Sequence, residues 1–295
     1  MGHDNDICHP EKPAFWHDPR LYQIASLSTL LLYGLIWLRF DVSIWHVVVT
    51  LTVAQFIQYT GTRYFNLLTF DPKSALISSL SLCLLLRTND LIVAALAALI
   101  AIGSKFVIRW NNKHVFNPTN LALVVMLAAD LGWISPGQWG QVAWFGFLAA
   151  CLGSLVVTRA ARADVTLAFL MFYVGLLFAR ALWLGDPLSI PLHQIEIGTL
   201  PIFALFMISD PKTKPNSRSG RILFAFIVSL AALYVQFGCF KPNGPLWGLV
   251  VCSPLVPFID RLLPDVRYDW SKPSAGRAPV PIPLTLSLQP QRRFS

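Results

Sequence analysis

An all-α polytopic membrane protein is the fold class this chain predicts, and three observations carry it. Hydrophobic residues fill 55% of its 295 positions and charged residues only 13%, against roughly a quarter charged in soluble globular domains. The apolar residues gather into about ten runs. The basic residues sit in the short connections between those runs, as orientation signals do in membrane proteins. A net charge of +8 carried this way is not the basic, aromatic-interleaved face of a nucleic-acid binder, so nucleic acid is not an expected partner and membrane lipid is.

In chain order the runs are Tyr22–Leu38, Ser43–Tyr59, Ser74–Leu86, Leu91–Ile108, Asn120–Ala129, Gln141–Val157, Val165–Leu184, Ile197–Ile208, Ile222–Phe237 and Pro245–Ile259. The first follows a polar stretch containing Asp4, Asp6, Glu11 and Asp18, which is no cleavable signal peptide, so the first helix itself directs the chain to the membrane. The third, fifth and eighth runs have 13, 10 and 12 residues, short of the roughly 20 needed to cross about 30 Å of hydrocarbon. Half-length helices leave terminal N–H or C=O groups at membrane depth, where a protein-lined cavity must satisfy them. Alternatively, the flanks Phe70-Asp71-Pro72 and Trp133 to Ser135 complete these spans at the interface. The fifth run opens on Asn117-Pro118, in which the asparagine caps free N–H groups and the proline occupies a position whose donor is not needed. The tenth opens on Asn243-Gly244-Pro245 and shares the Leu-Val-Val ending of the fifth, with the two asparagines predicted on opposite sides. That match predicts an inverted five-plus-five repeat with half-length helices.

With a cytoplasmic N-terminus, 18 of the 23 Lys and Arg residues face inward, and only Arg39, Arg87 and Lys241 face outward. Both termini are therefore expected in the cytoplasm, the chain being a multi-pass protein of the cell's inner membrane. Residues 1–20 form a cytoplasmic N-terminal segment and 21–263 the membrane domain. Residues 264–295, rich in Pro and Ser, read as a disordered cytoplasmic tail.

The chemistry-bearing residues are few. There is no catalytic triad, paired carboxylate, phosphate-binding loop or dinucleotide fingerprint. Only His46 of six histidines lies within a run, which leaves no facing pair for haem; five scattered cysteines cannot build an iron–sulfur cluster, and no metal site is expected. Lys105 and Arg180 are the two cations inside runs, each four residues from an end and so able to snorkel. Lys105 is followed closely by the Asn117-Pro118 corner, a placement that attracts a phosphate or the electron-rich edge of a flavin or quinone. Downstream, Ser209-Asp210-Pro211-Lys212-Thr213 makes a second corner after the eighth run. A carboxylate at a helix C-terminus opposes the macrodipole, so Asp210 implies a cation, either Lys212 or a passing Na+ or H+.

Lys113-His114-Val115-Phe116-Asn117-Pro118 together with Ser209-Asp210-Pro211-Lys212-Thr213 and Gly220-Arg221 resemble the membrane-protein family of RnfD and NqrB, the D subunit of the Rnf electron-transport complex and the B subunit of the Na+-translocating NADH:quinone reductase. The resemblance implies a ten-helix fold similar to urea-transporter-type channels, flavin binding, and coupling of electron transfer to Na+ or H+ movement. It also implies membrane or periplasmic redox subunits as partners. It directs attention to Lys105, His114, Asn117, Asn120, Asp210, Lys212 and Thr213 as residues of a cofactor site or ion path. Members that hold FMN by a phosphoester use a threonine in a Ser-Gly-Ala-Thr-like motif in the loop before the Asp-Pro corner. Here that loop, Gly185 to Glu196, lacks the motif, and the nearest threonine is Thr199 in Ile197-Gly198-Thr199-Leu200-Pro201. Covalent FMN is therefore not expected, and a flavin such as FMN or riboflavin would be held noncovalently. Two functions remain open: a subunit of an Rnf/Nqr-like complex coupling redox chemistry to ion translocation, or a stand-alone transporter or channel on the same scaffold without redox cofactor.

Overall fold

The computed structural model describes residues 18–37, 41–67, 69–110, 113–134, 152–153, 163–196 and 199–265. Most of the N-terminal segment, nearly all of the predicted Gln141–Val157 run and the tail from residue 266 lie outside them. The helices are α1 Pro19–Ile36, α2 Ile44–Tyr64, α3 Pro72–Leu85, α4 Leu91–Val107, α5 Pro118–Ala128, α6 Ala163–Leu184, α7 Ser189–Ile195, α8 Thr199–Ile202, α9 Arg218–Leu233, α10 Gly244–Cys252 and α11 Val256–Leu262. π-helical turns extend α8 over Phe203–Met207 and α9 over Tyr234–Gly238.

Many helix starts are capped by the residue types that do this best. Asp18, Ser43, Asp71, Asp90, Asn117 and Ser217 each accept a backbone N–H of the helix they precede. Among the described residues, three continuous helical stretches are long and apolar enough to cross a membrane: Ala163–Leu184, Arg218–Gly238 and Gly244–Leu262. A fourth candidate is broken, Ser189–Ile195 and Thr199–Met207 being inclined at 53°. α3, with 14 residues, and α5, with 11, remain short, about 21 and 17 Å at 1.5 Å per residue. The surface is apolar where a soluble protein would be polar: Ile92, Met171, Trp183 and Val251 all point outward. The chain is a helical, multi-pass membrane protein.

Two groups of helices emerge. α1 to α4 pack together, with α4 and α3 against α5, while α9 packs on α6 and α10. α5 and α10 join the groups where the Asn120 amide Nδ2 donates to the Leu246 carbonyl at 3.0 Å. Each of these residues is the third of its helix, so the two helices meet near their N-terminal turns. α10 fits closely against α9 because Gly244 and Gly248 carry no side chain; a Cβ on Gly244 would overlap the Ala232 carbonyl oxygen, and one on Gly248 would lie 2.8 Å from the Ala232 nitrogen.

Ends predicted to share a side do lie together. Arg20 of α1 reaches Asp71 before α3 at 3.1 Å, and Lys113 reaches Asp260 of α11 at 3.0 Å. At the opposite end, Arg87 after α3 pairs its backbone with Trp133 after α5. The Arg87 guanidinium is buried and donates to the carbonyls of Cys83, Leu84 and Leu86, satisfying the last acceptors of α3. Arg180 reaches Asp186 at 3.2 Å while resting on the Phe237 ring, consistent with a side chain extending to its end of the membrane.

Three features depart from the sequence reading. The fold is not wholly α: Arg109–Trp110 and Lys113–His114 pair as a small antiparallel hairpin with two residues between the strands, the spacing that hairpins favour. The connection after α6 contains a helix, α7, with Pro191 in its first turn and exposed Leu188, Ile190 and Leu192, a composition suited to an interfacial segment. The two matched asparagines also differ: Asn117 is extended and caps α5, whereas Asn243 is left-handed at φ 59° and makes no side-chain cap.

Candidate functional site

Beside the start of α5 lies a cleft of about 70 Å3. Its wall is one face of α3, carrying Ser74, Ser78 and Ser81; Arg20, Lys105, His114, Asn117, Thr119 and the segment from Phe206 to Lys212 complete it. Of the residues singled out in the sequence, Lys105, His114, Asn117, Asp210 and Lys212 meet here. Asn120 and Thr213 do not line it.

Asn117 ties the two corners together. Its Oδ1 accepts from the Asn120 backbone at 3.1 Å, closing the cap of α5, and its Nδ2 donates to the Asp210 carboxylate at 3.3 Å and to the Met207 carbonyl at 3.5 Å. Asp210 also accepts from the Lys212 backbone N–H at 3.1 Å. The Lys212 ammonium is not its partner: it lies 3.9 Å from Asp71 instead. The carboxylate that opposes the end of α8 is thus held by an amide and a backbone N–H, because the turn at Pro211 carries the Lys212 side chain away from it.

Lys105 does not snorkel. It is 5% exposed and donates to the Ser74 carbonyl at 2.9 Å and hydroxyl at 3.1 Å, within the first turn of α3. Among the described residues no carboxylate lies within ion-pairing distance of it. His114, on the hairpin, has a buried Nδ1 without a partner among the described residues. Burial, then the charges of Lys212, Lys105 and Arg109, lower its imidazole to about 3, so it is neutral. Asn120, 1% exposed, serves the α5–α10 contact and leaves its Oδ1 unpaired among the described residues, and Thr213 closes the corner on the Asp210 carbonyl.

The sequence reading missed several residues that build this region. The connection from Ser209 to Pro215 is almost wholly buried, against the habit of loops. Lys214 within it is 1% exposed; among the described residues its ammonium has no hydrogen-bond acceptor, and it rests 4.8 Å from the centroid of the Phe224 ring. Lys113 holds the connection by donating to the Lys214 carbonyl, Asn216 and Asp260. Arg221 pairs with Asp164, both largely buried, and donates to the Asn216 carbonyl at 2.5 Å. Short-range sequence signals give little warning of these contacts, most of which join residues 57 to 147 positions apart.

A family model described as NQR2, RnfD, RnfE matches residues 110–269, more than half of the chain, and takes in both corners together with Lys113, Lys214 and Phe224. The chain belongs to the NQR2, RnfD, RnfE family. Among curated proteins it is similar to the D subunit of the ion-translocating oxidoreductase complex of Klebsiella pneumoniae (strain 342), 31% identical over 135 residues, which are 45% of this chain and 35% of that protein. The corresponding D subunit of Escherichia coli (strain Crooks) is 30% identical over 137 residues, 45% of this chain and 36% of that protein. The match thus spans about a third of the length of these relatives.

Proposed function

We propose that the chain is a membrane-embedded subunit of an Rnf/Nqr-type assembly, in which the Asn117–Asp210 corner handles the translocated cation, Na+ or H+, with both termini in the cytoplasm of an inner membrane. The observation that supports this is the hydrogen bond from Asn117 to Asp210, which brings the two motifs of the family match together at one cleft. The relatives are named as the D subunit of an ion-translocating oxidoreductase complex, which points to redox subunits as partners. Ten spans and an inverted repeat are consistent with the two helix groups meeting at α5 and α10.

A flavin does not fit the cleft as it is shaped. Its volume of about 70 Å3 compares with roughly 300–1,000 Å3 for pockets that enclose organic ligands. That mismatch, with the missing attachment threonine, favours a second reading: a transporter on the same scaffold. Affinity purification from native membranes separates the two. Co-purifying redox subunits with visible flavin absorption support the first reading; a colourless protein without them, active in vesicle flux, supports the second and refutes the first.

A further inference from the structure

Between the hairpin and α11 lies another cavity, of about 200 Å3 against about 70 Å3 for the cleft. Trp110, Lys113 and His114 of the hairpin line it, together with Asn216 and, from α11, Asp260 and Arg261. Most of its charge is already matched. Lys113 reaches one oxygen of Asp260 at 3.0 Å, and the other oxygen accepts the Asn216 backbone N–H at 2.8 Å. His114 is neutral. The Lys113–Asp260 pair cancels, and Arg261 leaves the lining with a net positive charge. Arg261 is exposed, has no ion pair among the described residues, and stands 6.0 Å from the centroid of the Trp110 ring. Arg109, next to Trp110 on the hairpin, is exposed as well.

A stripe of apolar side chains leads away from this charge. Val251, Leu255, Phe258 and Leu262 are all exposed, and they recur at the spacing of one helical face along the apolar stretch Gly244–Leu262. In a stretch that crosses a membrane, such a face meets lipid. Arg261 adjoins it, three residues after Phe258 and so one turn away. Trp110, on the other wall, is of the residue type that settles at headgroup depth.

We propose that this cavity seats the headgroup phosphate of an anionic phospholipid, bound by Arg261, with an acyl chain lying along the face from Val251 to Leu262. The proposal rests on the membrane fold and on neither functional reading above. Three features select this occupant. A guanidinium presents a fork of donors that matches phosphate oxygens. Asp260 does not repel the phosphate unopposed, because Lys113 holds it. The apolar stripe gives an acyl chain a surface that a soluble phosphate does not use. With both termini in the cytoplasm the lipid belongs to the inner leaflet, where anionic headgroups meet basic residues. His114 lines this cavity and the cleft alike, so a seated headgroup braces a wall that the two share.

The test is native mass spectrometry of the full chain, delipidated in detergent and titrated with phosphatidylglycerol or with phosphatidylcholine. One phosphatidylglycerol should bind about tenfold more tightly than phosphatidylcholine, as expected from one charge-assisted bond to the phosphate of a lipid that carries net charge. Arg261→Gln should bring the two lipids level. Arg63→Gln, which removes an exposed cation at the end of α2, away from the cavity, should leave the preference intact. Equal binding of the two lipids by the unaltered protein overturns the proposal, as does a preference that survives Arg261→Gln. An equal loss in both variants also overturns it, by showing only general surface charge. Displacement of the lipid by millimolar inorganic phosphate would make the cavity a free-phosphate site and sink the lipid assignment. Should Arg261→Gln not fold, the unaltered protein decides with phosphatidylglycerol that carries a diazirine in its acyl chain. Illumination should label residues 251–262, and label spread evenly over lipid-facing helices such as α6 refutes a seated lipid.

Discussion

Replacing Lys214 with methionine should stabilise the protein at neutral pH and flatten its pH dependence. Burial is the main cause that lowers this ammonium from its ordinary 10.5 to about 7; Lys113 adds to the drop and Asp210 opposes it. A base whose folded value is depressed is held more weakly by the folded chain, so between pH 7 and 10 the unfolded chain binds more protons and stability rises with pH. At about 1.4 kcal/mol per decade, the drop to about 7 corresponds to roughly 4–5 kcal/mol of lost stability near pH 7. The ring of Phe224, 4.8 Å away, returns roughly 1 kcal/mol of that when the lysine is charged. Lys214→Met keeps most of the volume and removes the charge, so the gain at pH 7 should be on the order of 2–4 kcal/mol, or about 5–15 °C in unfolding midpoint. By pH 10 the two proteins should nearly coincide. Thermal unfolding in detergent, followed by intrinsic fluorescence at pH 7, 8.5 and 10, measures this. Parallel pH profiles for the two proteins, or a methionine variant less stable at pH 7, would refute the reasoning, because a charged, partnered Lys214 gives that result.

The other predictions concern the corners and the pair that braces them. Asp164→Asn strips the buried Arg221 guanidinium of its carboxylate, and should cost about 3–5 kcal/mol, visible as a loss of folded yield that Arg221→Met in the same chain partly restores. Asn117→Leu removes both the cap of α5 and the bond to Asp210, so it should lower stability, by about 1 kcal/mol for the cap and more at membrane depth, seen as a lower unfolding midpoint, and reduce flux. Asp210→Asn keeps an acceptor for the Lys212 N–H, so it should fold normally while lowering ion-coupled flux in vesicles; undiminished flux reduces Asp210 to a turn former. Denatured protein co-expressed with a flavin transferase should give no fluorescent band in a gel, and a bright band lost on Thr199→Ala would falsify the reading of the missing motif.

What the sequence showed most clearly was whatever depends on neighbours along the chain. The caps at Asp71 and Asn117, the short third and fifth helices and the shared ends of the membrane domain follow from residue type, spacing and charge, all of which act within a few positions. The pairing of Arg109–Trp110 with Lys113–His114 was not legible, because two strands of two residues each carry no alternation to set against a composition that argues for helix throughout. The pairing of charges was hidden. Lys212 stands two residues from Asp210 and yet reaches Asp71, and Arg20 finds Asp71 from 51 positions away. A charge pattern names the groups that need partners, and the packing of helices decides which partners arrive.

The same distinction explains the two lysines. Lys105 drew attention because it interrupts an apolar run, whereas Lys214 lies among Asp, Pro, Lys and Asn in what reads as a solvated connection. Yet among the described residues Lys214 has no acceptor and Lys105 has two on Ser74. The difference arises because the loop that carries Lys214 is drawn inward by bonds at its ends, Asn117 to Asp210 on one side and Lys113 and Arg221 around Asn216 on the other. Those bonds offset the cost of burying a connection and leave the Lys214 ammonium inside, over the Phe224 ring. A polar group kept buried at such expense is where a structural account and a functional one diverge, and the pH profile of Lys214→Met reads that cost directly.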